Sequence, residues 1–269
     1  MGATHIRVGI APGSSSHPLL DILTPKTQKS IIKAICRSIQ QICNQYTIWP
    51  TNILICCPGL VDRTGVIHKA LYLPLTGCHL QAEILKRMKI PTMVTNDAKA
   101  QALGCVQGDE SISYIVIGTG IGGAIVEQGS LIFGKQGFAG EIGHIPLTSF
   151  QKLCVCGQIG CIDVTASGWA ITKLLGPEWW LRNLNHEEKN VIRSAGVYIG
   201  TAASLCAILH DSDLIVIAGK TIANKVFKDG ILEAWNRKNW SQAKIIFYSD
   251  TWQLAWRGLL KMQENNIKI

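Results

Sequence analysis

Apolar residues recur along the chain with two spacings, and the spacing separates helices from strands. Ile31, Ile35, Ile39 and Ile42 share one face of a segment from about Thr27 to Tyr46, with Thr24-Pro25 just ahead, which predicts a long amphipathic helix. Shorter helices are predicted over 80–88 and 98–104, a long one over 187–209 and a closing one over 251–263. Ile53 to Cys57 is an unbroken apolar run ending in Pro58-Gly59, as a strand buried on both faces requires. Further strands are predicted over 6–11, 92–95, 114–117, 123–127 and 214–218. Turns are expected at Gly2-Ala3-Thr4, at Pro12-Gly13-Ser14, and at Gly129 and Gly134. Strands that alternate with helices in this way predict an α/β architecture rather than a sandwich. The pattern gives way to a glycine-rich turn after Asp97, which places the expected boundary there.

Composition narrows the class. Of 269 residues, 47% are hydrophobic and 16% charged, enough to bury a core and unlike disordered, collagenous or coiled-coil chains. The uncharged stretch from Ser111 to Val126 is shorter than the ~20 residues of a bilayer span and is broken by glycines, so no membrane segment is expected. Lys plus Arg exceeds Asp plus Glu by 26 − 18 = 8. Those cations are scattered: Lys26, Lys29, Lys33 and Arg37 line one helix face, and Lys86, Arg87 and Lys89 form a short cluster. No aromatic residues interleave them, so the expected partner is a polyanionic nucleotide and not a nucleic acid. Ten cysteines without a leader sequence predict reduced thiols and a cytoplasmic location rather than a disulfide framework.

Four groups of residues carry candidate chemistry. His144, Cys154, Cys156 and Cys161 supply four soft ligands, with Gly157 and Gly160 letting the backbone bring the sulfurs together; a closed Cys3His set suits structural zinc. Incidental buried thiols are the alternative. Gly118-Thr119-Gly120-Ile121-Gly122-Gly123 lies between two apolar strands and exposes backbone N–H groups to phosphate oxygens, or is simply a tight hairpin. Asp97, after Asn96 at the end of a buried strand, is placed as a general base or as the N-cap of the next helix. Glu141 stands three residues before His144, so whatever fixes the imidazole also orients a carboxylate suited to sugar hydroxyls, or it is simply a solvated surface glutamate.

In this order the four groups resemble the ROK family of sugar kinases and sugar-responsive repressors. Gly140 to His144 and Cys154 to Cys161 match its two signatures. Pro58-Gly-Leu-Val-Asp62 with Gly65, Thr95-Asn-Asp-Ala98, Gly118 to Gly123 and Ala166-Ser-Gly168 extend the likeness over nearly the whole chain. The resemblance implies the actin-like (ribonuclease H-like) ATPase fold, two lobes around a cleft, with the zinc module, residues 140–163, in the C-terminal lobe. The N-terminal lobe would be 1–98, completed by the helix over 251–269, and the C-terminal lobe 99–250. It implies phosphorylation of a hexose hydroxyl (glucose or an N-acetylhexosamine) by ATP with Mg2+. Asp97 would be the base; Asn96, Glu141, His144, Asp163 and Gly59 would hold the sugar. Gly2, Thr4, Gly118, Thr119, Gly120, Gly122 and Gly219 would hold the nucleotide, and His144, Cys154, Cys156 and Cys161 the zinc. Homodimers or homotetramers are the family habit.

The chain departs from the family pattern at several points. Met1 to Thr4 aligns with the tail of the family's first phosphate loop, so the strand and Mg2+-placing Asp ahead of it have no counterpart here, through a late start or a decayed enzyme. Asp163 stands where the family carries Glu, Lys69-Ala-Leu-Tyr-Leu73 replaces Asn-Ala-Pro-Asn-Leu, and Ala218-Gly219-Lys220 replaces Gly-Gly-Gly. A sugar-binding protein with impaired transfer, or a repressor body without its DNA-binding domain, are the alternative functions.

Overall fold

The structure, a computed structural model, describes residues 1–11, 17–237 and 241–264. The turn expected at Pro12-Gly13-Ser14 and the last five residues of the closing helix lie outside them. The chain divides into two compact units: Met1–Gly104 with Phe133–Ala139 and the chain from Trp252, and Cys105–Ile132 with Gly140–Thr251. The expected boundary after Asp97 therefore moves to the end of the following helix, and a short segment, 133–139, returns to the first unit.

In the first unit, β1 (His5–Val8) and β2 (Leu20–Leu23) pair antiparallel. Helix α1 (Gln28–Tyr46) starts on a Thr27–Ser30 capping box and buries Ile31, Ile35, Ile39 and Ile42, leaving Lys29, Lys33 and Arg37 exposed as predicted. β3 (Ile53–Cys57) leads through β4 (Leu60–Val61), β5 (Ile67–Lys69) and α2 (Leu80–Met88) to β6 (Thr92–Asn96). β3 and β6 are parallel, from Ile53↔Thr92 to Cys57↔Asn96, so both deliver their carboxyl ends to one edge. α3 (Asp97–Cys105) follows at once. β2, β4 and β5 were not anticipated; at two to four residues each they are too short to show a period.

Helix α8 (Thr251–Glu264) returns to the first unit and crosses α3 backbone to backbone. A Cβ on Gly258 would stand 1.7 Å from the Ala100 carbonyl oxygen, and one on Gly104 1.9 Å from that of Leu254. Only hydrogen fits there. Gly258→Ala is expected to force the helices apart and cost about 3 kcal/mol of stability, read as a lower urea midpoint; an unchanged midpoint would refute this crossing.

In the second unit β7 (Ile112–Ile117) turns into β8 (Ile121–Glu127) and β9 (Ser130–Leu131). The segments α4 (Asp163–Ala166), α5 (Gly168–Leu175), α6 (His186–His210), β10 (Leu214–Ala218), α7 (Lys225–Asn236) and β11 (Lys244–Tyr248) complete it. The sheet order is β11-β10-β7-β8-β9, with β11, β10 and β7 parallel and the other two antiparallel. Ile115, Ile117, Ile215 and Ile217 are fully buried beneath α6 and α7 residues such as Ile199 and Phe227. Helix α6 is 25 residues long and, by length and composition, apolar enough to cross a membrane, which the sequence reading did not expect; half of that window is buried inside the protein. α7 and β11 were also not anticipated.

Candidate functional site

Asn96 and Asp97 sit at the carboxyl end of the parallel β3–β6 pair, and the structure separates their jobs. Asn96 Oδ1 accepts the Lys99 N–H at 3.0 Å, so Asn96 caps α3. Its Nδ2 donates to the Gly59 carbonyl at 2.9 Å, which ties the end of β6 to the turn after β3. Capping thus falls to Asn96, the alternative that had been weighed for Asp97. Asp97 is the first helical residue, and its Oδ1 accepts the Ala98 N–H at 3.0 Å. Burial pushes its carboxyl above the ordinary value, against the opposing charge of the Met1 amino group and backbone hydrogen bonds. A carboxylate that is partly buried and raised in pKa suits a proton acceptor.

Gly59 needs its positive φ of 126°, because a Cβ there would meet the Lys69 carbonyl at 2.6 Å. The hairpin that follows is locked by Asp62, which accepts from Thr64, Val66 and, at 2.6 Å, His68. Burial alone would raise that carboxyl, but the hydrogen bonds outweigh it and hold its pKa at about 2. Lys99 escaped the sequence reading. It is only 1% exposed and its Nζ donates to the Ala139 carbonyl at 2.7 Å, anchoring segment 133–139 to α3. A weakly amphipathic stretch such as 97–105 carries no signal for a buried lysine.

In the second unit, Ile142–His144 form a 3-10 turn with Glu141 at its N-cap. Three residues per turn place Glu141 and His144 on one side, while Ile142 is buried. The turn lies against β8 without side chains between: a Cβ on Gly143 would stand 2.2 Å from the Ile121 carbonyl oxygen. The glycines of the Gly140-Glu141-Ile142-Gly143-His144 signature are therefore packing requirements as much as turn residues.

His144, Cys154, Cys156 and Cys161 converge as expected, their ligand atoms all within 4.8 Å of one another. Cys154 Sγ lies 3.5 Å from His144 Nδ1, and Cys156 Sγ 3.5 Å from Cys161 Sγ. Ligands ~2.3 Å from a tetrahedral centre stand about 3.8 Å apart, so the donor set fits zinc, whereas all ten cysteines are free of disulfides. The bridges Pro146↔Cys161 and Leu153↔Ile159, with positive φ at Gly157 and Gly160, fold the loop that holds the sulfurs. Burial holds the Cys154 and Cys161 thiols above their ordinary values, so an incoming cation must displace protons.

The glycine turn joins β7 to β8. Gly118 and Thr119 carbonyls accept the Gly168 and Trp169 N–H groups at 3.0 Å each, so the turn is stitched to the start of α5. The Gly118 N–H bonds Gly120 and the Ile121 N–H bonds Asp163, while Gly122 is a strand residue opposite Val116. Among the described residues the N–H groups of Thr119 and Gly120 donate to no protein acceptor, and they form the part of the turn that can take a phosphate. Gly219 lies beside them, where a Cβ would be 2.1 Å from the Ile117 carbonyl, but its N–H is spent on Tyr248. The exposed Lys220 follows it, a cation at the carboxyl ends of β7 and β10 that the sequence reading did not assign.

Three of the expected site residues are engaged within the protein. The Gly2 N–H is turned onto the His5 carbonyl at 2.8 Å and Thr4 Oγ1 lies 3.2 Å from His5 Nδ1, so neither projects as an unengaged phosphate donor. Asp163, expected to face a sugar, is 5% exposed, and its Oδ1 accepts the Ile121 N–H at 2.6 Å. Burial raises its carboxyl while that hydrogen bond and the nearby His144 charge pull it back.

Comparison with known proteins agrees with the fold and the motifs. The profile described as the ROK family matches residues 1–245. The chain is 35% identical over 124 residues to a glucokinase from Halalkalibacterium halodurans, covering 44% of this chain and 38% of that protein. It is 26% identical over 239 residues to an N-acetylglucosamine repressor from Escherichia coli O157:H7, covering 78% and 59%. The chain thus spans about half the length of the curated relatives it matches. A ROK family glucokinase from Streptomyces griseus, crystallised with glucose and AMPPNP, superposes with a TM-score of 0.80 at 23% identity, over 97% of this chain and 96% of that one. The fold is that of the actin-like ATPases, as the resemblance implied.

Proposed function

The chain belongs to the ROK family, and from that premise we propose that it phosphorylates a hexose hydroxyl, on glucose or an N-acetylhexosamine, with ATP and Mg2+. Relatives described as glucokinases and an N-acetylmannosamine kinase support the sugar class, and AMPPNP in the Streptomyces griseus structure supports the nucleotide. The observation that carries the reading is the division of labour at β6: Asn96 caps the helix, and Asp97 stands beside it as a carboxyl that burial raises above its ordinary value.

Asp97 takes the proton as the sugar hydroxyl attacks the γ-phosphorus. The new O–P bond forms while the bond to the β–γ bridging oxygen breaks, and ADP leaves with that electron pair. Glu141 and His144 hold neighbouring hydroxyls, with Gly59 and the remaining hydrogen-bonding positions of Asn96 against the sugar. Thr119 and Gly120 direct their N–H groups at the phosphates, with Lys220 adding charge, and Mg2+ enters as the counterion of the nucleotide. Zinc, held by His144, Cys154, Cys156 and Cys161, would fix the imidazole through Nδ1 and leave Nε2 toward the sugar.

A coupled assay over a panel of hexoses and N-acetylhexosamines tests this. Turnover of at least one sugar is expected; no turnover with any, while calorimetry still detects sugar, would establish instead a sugar-binding protein without transfer.

A further inference from the structure

The Ile121 peptide is gripped at both ends by residues that flank metal ligands. Ile121 faces Ile117 across the hairpin, yet its N–H points out of the ladder to Asp163 Oδ1 at 2.6 Å. Asp163 is two residues beyond Cys161 and opens α4. On the other side the Ile121 carbonyl oxygen lies against the Cα of Gly143, the residue before His144. The two flanking segments are themselves joined, because the Ile162 N–H donates to the Ile145 carbonyl at 3.1 Å and Cys161 Sγ lies 3.3 Å from the His144 carbonyl oxygen. Ile121 in turn directly follows Thr119 and Gly120, the two unspent N–H groups of the turn.

We propose that Asp163 is a positioning residue that ties the Cys3His module to the glycine turn, so that metal in the module and nucleotide phosphate on the turn favour each other. The inference rests on reading the turn as the phosphate site. A metal that draws His144 and Cys161 together fixes Gly143 and Asp163 on either side of one peptide. The turn then presents its donors already ordered, and phosphate binding no longer carries the cost of arranging them. Coupling of this kind is reciprocal, so nucleotide must also slow the loss of metal. It also gives the aspartate a purpose: the buried carboxylate meets the Ile121 amide instead of a sugar hydroxyl.

The test uses the whole chain in zinc-loaded and chelator-stripped forms, without sugar. The main readouts are affinity for a fluorescent ATP analogue and hydrogen exchange at the Ile121 amide. Stripping the metal is expected to weaken the analogue about tenfold and to speed Ile121 exchange. Asp163→Ala should do both even with zinc present, and should abolish the effect of nucleotide on zinc transfer to a chromophoric chelator. Asp163→Asn, which keeps the Oδ1 acceptor, should restore analogue affinity to within about threefold of the parent. In a separate calorimetric titration with zinc bound, sugar affinity should stay unchanged in both Asp163 variants. If Asp163→Ala weakens sugar and leaves analogue affinity and Ile121 exchange alone, the proposal is overturned and Asp163 is a sugar ligand. Should the parent bind no nucleotide at all, the kinase reading fails, while metal-dependent exchange at Ile121 still decides for or against the tie.

Discussion

Asp97→Asn is expected to lower kcat for hexose phosphorylation by about a thousandfold, with the KM for nucleotide little changed. Asparagine keeps the oxygen that accepts the Ala98 N–H and removes only the proton-accepting charge, so the loss reports on the chemical step. The pH dependence carries a second signature. Burial raises the Asp97 carboxyl, and a base must be deprotonated, so kcat/KM should fall on acidification at a pH above the ordinary carboxylate range. The linkage to stability has the opposite sense. A carboxyl raised on folding contributes stability below its unfolded pKa and loses it as pH climbs through the folded value. At neutral pH the variant should therefore melt no lower than the parent. Steady-state kinetics beside a melting curve check both halves; activity within tenfold of the parent would remove Asp97 from the role.

Cys161→Ser should strip the metal and cost the second unit at least about 3 kcal/mol, because binding energy of a structural metal is folding energy. Cys161 is fully buried at the end of the Pro146↔Cys161 bridge, so its loss opens the loop that also carries Cys154 and Cys156. The five-stranded sheet has its own apolar core and should persist, so the expected damage is local. Elemental analysis should give one zinc per parent chain and none in the variant, and limited proteolysis should cut the variant between residues 148 and 160. Raised thiols predict in addition that the parent releases metal as the pH is lowered. A pure parent chain with no bound transition metal, whose melting is indifferent to added zinc, would defeat the assignment.

The parts of this protein that could be read in advance are those whose cause is local. The isoleucines of α1 repeat every three to four residues, so one turn of helix after another reports the same buried face. Ile53 to Cys57 is apolar at every position and is buried at nearly every one, as a parallel strand covered on both sides must be. The three cysteines of the metal loop lie within eight residues, and two glycines between them adopt the positive φ the turn needs. Short elements such as β4 and β5 escaped because two or three residues do not establish a period. Lys99 escaped because its burial depends on the carbonyl of Ala139, 40 positions away.

What the amino-acid order determined by itself was therefore the longer helices and the buried strands, the four residues that gather as a possible metal cluster, and the family to which the motifs point. Which acidic or amide group does what was decided only in three dimensions. Asn96 and Asp97 are adjacent and both able to cap, and the choice between them rests on a carbonyl at Gly59 brought alongside by the β3–β6 pairing. The hairpin of β7 and β8 sets an outward N–H at Ile121 within 2.6 Å of Asp163 Oδ1, across 42 positions of chain. Hydrogen bonds are short-ranged and directional, so a polar side chain's role follows from which donor the sheet places beside it, and no spacing along the chain encodes that.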